Sequence, residues 1–218
     1  IAELETKALK SQMNPHFVFN SLNSIAHLIA SRQNERGILY LSKFSKLLRI
    51  ILDESENNFV ALKDEIKMLD LYLQIEAMRF GETFSYNIHA DDNVEEDDIN
   101  VPALLLHPLV ENAVWHGLLH KQGQRRLIIH FKKVTDDILQ CIIKDNGVGI
   151  EAAKAMKEKR LNGITQKSKG VQLVKDRLKM LEQQFGKQTF FSMEDIHADH
   201  YFISGTMVTI QFPVLYES

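Results

Sequence analysis

Four short stretches carry side chains whose types and spacing could do chemistry. The first is Asn14-Pro15-His16-Phe17-Val18-Phe19-Asn20-Ser21-Leu22-Asn23. Wound at helical pitch, His16 shares one narrow stripe with Gln12, Asn20 and Asn23, while Phe17, Val18, Leu22, Ile25, Leu28 and Ile29 fall on the other side. The imidazole is therefore expected on the wet face and its neighbours in a core. Pro15 lacks an N–H and crowds the preceding turn, which predicts a kink beside the histidine. An exposed imidazole titrates near pH ~6.5, so at neutral pH much of it is a neutral nucleophile. Taken alone, a single helical histidine is more often structural than chemical.

The other three stretches could hold a nucleotide. Glu111-Asn112-Ala113 sits in an apolar run with Leu105, Leu109, Val110, Val114 and Trp115. A carboxylate beside an amide at such a place needs partners. Their oxygens suit Mg²⁺, or they form a buried polar pair that caps a neighbouring strand. Asp145-Asn146-Gly147-Val148-Gly149-Ile150 follows a strand-like run. Its carboxylate could accept from an exocyclic amine, and its glycines let the backbone turn sharply beside a ligand. The same residues also fit a plain Asx turn. Ser168-Lys169-Gly170 opens a helix, where N–H groups can hold phosphate. Between the last two lie Lys154, Lys157, Lys159, Arg160 and Lys167, which fit a basic lid or a solvated linker.

The elements that must position these residues fall into two regions. Residues 1–58 read as two amphipathic helices, from the start to Ala30 and then through Leu41, Phe44, Leu48 and Ile51, with Leu47 and Leu52 widening the stripe. The polar run Ser31–Gly37 is the turn between them. One hairpin cannot bury both stripes, so a four-helix bundle in a homodimer is expected. The alternative is a hairpin packed on its own C-terminal region. Residues 59–218 are mixed. Helices are expected over Leu62–Phe80, Pro102–Leu118 and Gly170–Phe185, and strands over Phe84–His89, Leu127–Val134, Ile138–Lys144, Thr189–Met193 and Met207–Phe212. The acidic run Asp91–Asp98 reads as a solvated loop, and Ala152–Lys169 as a polar, basic segment broken by Gly163. The fold class is α+β.

Composition narrows the function. The 218 residues are 44% hydrophobic and 25% charged, an ordinary globular balance. With 26 Lys and Arg against 29 Asp and Glu, the net charge of -3 argues against a general nucleic-acid binder. The single cysteine, Cys141, excludes an internal disulfide framework and fits a reducing compartment. No apolar run is long enough to span a bilayer. The chain begins at Ile1, and any membrane or sensor part is expected upstream.

These motifs carry a family resemblance over nearly the whole chain. LKSQMNPHFVFNSLNSI resembles the phosphoacceptor box of the LytS/YehU-type sensor histidine kinases. VPALLLHPLVENAVWHGL resembles their N box, KDNGVGI and SKGVQLVKDRL their two glycine boxes, and GTMVTIQFP the closing strand. The resemblance implies a GHKL-type α/β sandwich with a mixed sheet, and autophosphorylation from ATP with Mg²⁺. It implies His16 as phosphoacceptor, Asn112 as Mg²⁺ ligand and Asp145 as partner of the adenine amine. Gly147, Gly149 and Gly170 would shape the pocket and Thr206 would hold a water near the adenine, with His116, Ser168 and Lys169 completing the nucleotide set. It further implies a membrane-bound or periplasmic sensor upstream of this cytoplasmic part. The phosphoryl group would pass on to an aspartate of a response regulator of LytTR type.

Departures from the pattern keep alternatives open. Ser168 stands where the second glycine box usually opens with Gly, Leu173 where Asn is common, and Trp115 where the N box often has Lys. Phe17 follows the histidine where many kinases place an acid. Asn20 could orient the imidazole, and Glu111 is a candidate base if it faces the phosphate. A nucleotide-binding pseudokinase or dimeric scaffold is the second reading. A metal module built on His116 and His120, or on His197 and His200 near Asp195 and Asp199, is a third.

Overall fold

The computed structural model describes residues 15–160, 169–196 and 204–216. Helix α1 (Pro15–Ala30) and helix α2 (Asn34–Glu54) form the hairpin. Their turn is shorter than the polar run suggested, and Gly37 already lies inside α2. Gln33 N–H donates to Leu28 O at 2.9 Å and Arg32 N–H to Ile29 O at 3.0 Å. This is a Schellman ending, with Arg32 at φ 59° in the left-handed position that glycine usually takes. Pro15 opens α1; the turn before it, which a kink there would bend, and Gln12 on the histidine stripe lie outside the described residues.

The buried side of α2 is Tyr40, Phe44, Leu47 and Ile51, whereas Leu41 and Leu52 are exposed and Leu48 is half-buried. On α1, Phe17 and Ile25 are buried, but Leu22 and Ile29 are exposed. The Phe17 ring lies 5.9 Å from Phe44 and 5.3 Å from Tyr72 of helix α3 (Leu62–Phe80). The hairpin thus packs on the C-terminal region within one chain, and an apolar arc remains outside.

The main sheet has five strands in the order β2 (Phe84–Ala90), β4 (Arg125–Thr135), β5 (Ile138–Asp145), β7 (Thr206–Pro213), β6 (Phe190–Asp195). β2 and β4 run parallel and the other neighbours antiparallel. Period-two alternation turns Leu127, Ile129 and Phe131, then Leu139, Cys141 and Ile143, then Val208, Ile210 and Phe212 to one face, where all are buried. The helical layer covers that face. It comprises α3, helix α4 (His107–Asn112) with the wide turn that continues it (Ala113–Leu118), and helix α6 (Lys169–Phe185).

A second sheet of three short strands, β1 (Phe59–Ala61), β3 (Ile99–Pro102) and β8 (Leu215–Tyr216), was not foreseen. It corrects the expected helix Pro102–Leu118, because Pro102 closes β3 and the helix starts only at His107. The polar, basic segment read as a lid or a solvated linker is preceded and opened by helix α5 (Ile150–Arg160). Gly163, Lys167, Ser168, His197, Asp199 and His200 lie outside the described residues. Among the described residues no helix is long and apolar enough to cross a membrane.

Candidate functional site

The site grows out of the end of the core face. Asp145 continues the alternation of Leu139, Cys141 and Ile143, so its carboxyl must point into the core side. The register pairs Asp145 with Thr206, and Thr206 with Asp195. The last row of an apolar face therefore becomes Asp145, Thr206 and Asp195. Asp145 is only 2% exposed. Gly147 N–H donates to its Oδ1 at 2.8 Å, and the Thr206 backbone N–H also donates to it. Burial pushes the carboxyl up to about 7; the two N–H bonds and Lys121 oppose the rise, and Asp195 adds to it.

Close backbone packing walls this carboxyl. The wide turn Ala113–Leu118 has i to i+5 spacing: Leu119 N–H reaches Val114 O at 2.9 Å. It lays Gly117 directly on Asp145, where a Cβ would stand 2.6 Å from Oδ1. Gly147 packs on the backbone of Gly117, and Val148 N–H donates to Gly117 O at 3.2 Å. Gly205 packs as tightly on the backbone of Asp145 and Asn146. Asn146 ties the loop to the start of β4, accepting from Arg126 N–H at 2.7 Å and donating to Gln124 O at 3.0 Å. Gly149 (φ 84°) leads into α5, whose first N–H, on Ile150, donates to Asp195 Oδ1.

The helix beside this row is held from behind. Leu104 precedes α4 in a left-handed conformation (φ 57°) within a fully buried turn. Both oxygens of Glu65 accept its backbone, from Leu104 N–H at 3.0 Å and Leu106 N–H at 3.2 Å. Arg177 of α6 donates to Ala103 O at 2.6 Å. Gly170 brings the start of α6 close against Pro108: a Cβ there would meet the proline Cβ at 3.2 Å, a tight contact. These contacts fix α4, and with it Glu111 and Asn112.

The residues singled out in the sequence separate into groups. Asp145, Gly147 and Thr206 meet in one place, Gly149 borders it, and Gly170 sits at the base of α4. Glu111 and Asn112 are half-buried, not buried as expected. Glu111 lies toward α3, where burial raises the Glu76 carboxyl and the Tyr72 hydroxyl and the Glu111 charge adds to the rise. His116 is exposed. Trp115 is buried beneath the Arg79 guanidinium, 4.3 Å from its ring. Asn20 is on α1 and belongs to the hairpin. His16 is in the first turn of α1, its side chain and that of Lys169 lie outside the described part, and Ser168 lies outside it altogether. Gly117, Gly205 and Asp195 were missed as parts of the site. Only Gly117 left a signal, as a lone glycine in an apolar helix.

The donor set fits a nucleotide with its metal. Among the described residues no group of three or more His, Cys, Asp or Glu could hold a metal ion by itself. The side-chain oxygen of Asn112 suits an ion that takes its other ligands from phosphate and water. The glycine-walled carboxyl suits a flat ring carrying an amine.

A model of the histidine kinase family matches residues 4–84. The sensor protein LytS of Oceanobacillus iheyensis is 34% identical over 151 residues, 69% of this chain and 25% of that protein. The sensor histidine kinase/phosphatase LytS of Staphylococcus aureus is 31% identical over 154 residues, 71% of this chain and 26% of that protein. The chain belongs to the histidine kinase family. This histidine kinase chain spans about a quarter of the length of the curated relatives it matches. The histidine kinase domain of the Erythrobacter litoralis EL346 blue-light activated histidine kinase shares its fold, with TM-score 0.52 and 13% identity over 89% of this chain and 91% of that one. The sheet with helices on one face is thus the GHKL-type fold of histidine kinase catalytic domains, with the hairpin in front of it.

Proposed function

We propose that the chain is the kinase core of a two-component sensor, which binds ATP and transfers its γ-phosphoryl group to His16. The observation that carries this reading is the buried Asp145, seated between the Gly117 and Gly147 backbones at the polar end of the sheet. In this reading Asp145 accepts from the adenine amine, Thr206 holds a water beside it, and Gly147, Gly149 and Gly170 keep the backbone close. Asn112 is the protein's ligand to Mg²⁺, which would screen the phosphate charge. Ser168, Lys169 and His116 line the phosphate side. Residues 1–58 act as the dimerising phosphotransfer hairpin and residues 59–218 as the ATP-binding domain.

A ring nitrogen of His16 forms the new N–P bond, the bond from the γ-phosphorus to the bridging oxygen breaks, and ADP leaves with the electron pair. The proton on the other ring nitrogen passes to a base. Asn20 orients the imidazole, and Glu111 is the candidate acceptor of that proton. The phosphoryl group then goes to an aspartate of a response regulator, of LytTR type by the resemblance. The exposed arc of Leu22, Ile29, Ile38, Leu41 and Leu52 supports a homodimer. The parent protein would be a membrane sensor with this part in the cytoplasm. The test is incubation with γ-labelled ATP and Mg²⁺: acid-labile, base-stable label on the protein is expected. Binding of ATP without any label would leave a nucleotide-binding scaffold instead.

A further inference from the structure

The described residues of α4 and its wide turn carry no Lys or Arg. A guanidinium is nevertheless delivered there from another helix. Arg79, in the last turn of α3, lies 4.3 Å from the Trp115 ring and 4.7 Å from the Phe80 ring. One of its amino groups meets Glu76 Oε2 at 2.7 Å. Two rings and a carboxylate hold the guanidinium in place, yet its side chain stays 17% exposed. A guanidinium has five N–H donors, more than one carboxylate can take.

Its place along α3 gives the charge a purpose. Tyr72, Glu76 and Arg79 follow one another at i, i+4 and i+7, so they form one stripe. The near end of that stripe, Tyr72, bears Phe17, the residue after His16. The far end bears Trp115, one turn beyond Glu111 and Asn112. Seven residues of helix span about 10 Å. Arg79 therefore stands against the helix that holds the candidate metal ligand, about 10 Å along α3 from the end that touches the helix of the candidate acceptor.

We propose that Arg79 is a catalytic residue of this kinase whose guanidinium contacts the oxygens of the phosphoryl group as it passes from ATP to His16. Trp115 and Glu76 act as positioning residues that aim it. The proposal rests on the kinase reading above. It asks of Arg79 what fixed cations supply in phosphoryl transfer: stabilisation of charge on the equatorial oxygens, with no reorganisation during the step.

The test compares Arg79→Gln, Arg79→Lys and the double variant Arg79→Gln with Trp115→Lys. Two readouts are taken: the labelling rate with γ-labelled ATP, and the ratio of ATP·Mg²⁺ to ADP affinity by calorimetry. Arg79→Gln should label about 10²- to 10³-fold more slowly, the usual loss for a fixed transition-state donor. Its ADP affinity should hold while the ATP-to-ADP ratio falls. Arg79→Lys should keep part of the rate, and the double variant should regain part of it by restoring a cation on α4. Parental labelling in Arg79→Gln overturns the proposal. So does a joint loss of labelling and ADP binding in the Gln and Lys variants, since that marks a purely structural residue. If the parent chain binds ATP but never labels, the kinase reading fails, and the affinity ratio alone decides on Arg79: an unchanged ratio overturns the contact.

Discussion

Replacing Gly117 by alanine adds one methyl group at the point where the helical layer meets the candidate adenine partner. The Cβ would stand 2.6 Å from Asp145 Oδ1 and 3.0 Å from its Cγ. The carboxyl has little freedom to retreat, because it is 2% exposed and tied to Gly147 N–H at 2.8 Å. Either the carboxyl rotates out of line or the wide turn shifts, and Val148 N–H then loses Gly117 O. Overpacking of this kind costs about 1–3 kcal/mol of stability. Losing a hydrogen bond from ligand to a charged group costs about 1.5–3 kcal/mol, or roughly 10- to 150-fold in affinity. Calorimetric titration with ATP·Mg²⁺ reads the affinity, and urea unfolding reads the stability. Gly37→Ala is the control, since its Cβ would meet Ile29 at 3.4 Å, an ordinary contact, within helix α2. It should leave ATP affinity unchanged and add up to about 1 kcal/mol of helix preference. A folded Gly117→Ala protein that binds ATP as tightly as the parent refutes the assignment of this carboxyl to the nucleotide.

Stability should fall as pH rises from about 6.5 to 8. Burial raises Glu54 to about 8 and Glu65, Glu76 and Asp145 to about 7, all above their unfolded values, so the folded chain binds more protons in that window. His107, lowered to about 4 by burial, opposes this only below its unfolded value of 6.5. The urea midpoint should therefore drop steadily, and a flat or rising midpoint contradicts the burial of these carboxyls. Asn112→Ala should weaken ATP binding about tenfold or more in Mg²⁺ and little in chelator, by loss of one charge-assisted contact; equal weakening in both removes the metal role. Ile38→Glu, at a side chain 68% exposed on α2, should shift the chain toward monomer in light scattering. An unmodified chain that is already monomeric at micromolar concentration contradicts the dimer.

Much of the fold was legible because its signals are local. β4, β5 and β7 alternate with period two, and Asp145 was readable as the polar end of such a run beside a glycine turn. The stripe of α2 was read partly one position off. Leu41, Phe44, Leu48 and Ile51 fit helical spacing, but so do Tyr40, Phe44, Leu47 and Ile51, and the second set is buried. Only the surfaces offered by α1 and α3 decide between them. The strands β1, β3 and β8, of three, four and two residues, exist through pairing and leave no periodicity to read. Asp195 caps α5 from 45 residues away, and Arg79 reaches Trp115 across two helices. The wide turn at Gly117 depends on docking against Asp145, a contact no local window contains.

The phosphoacceptor assignment is the central claim, and His16→Gln tests it most directly. The parent chain and this variant are incubated with γ-labelled ATP and Mg²⁺, and ATP affinity is measured beside the label. The expected result is acid-labile, base-stable label on the parent and none on His16→Gln, with ATP bound equally by both. Label on His16→Gln at the parental level, or a parent that binds ATP and never labels, contradicts the account.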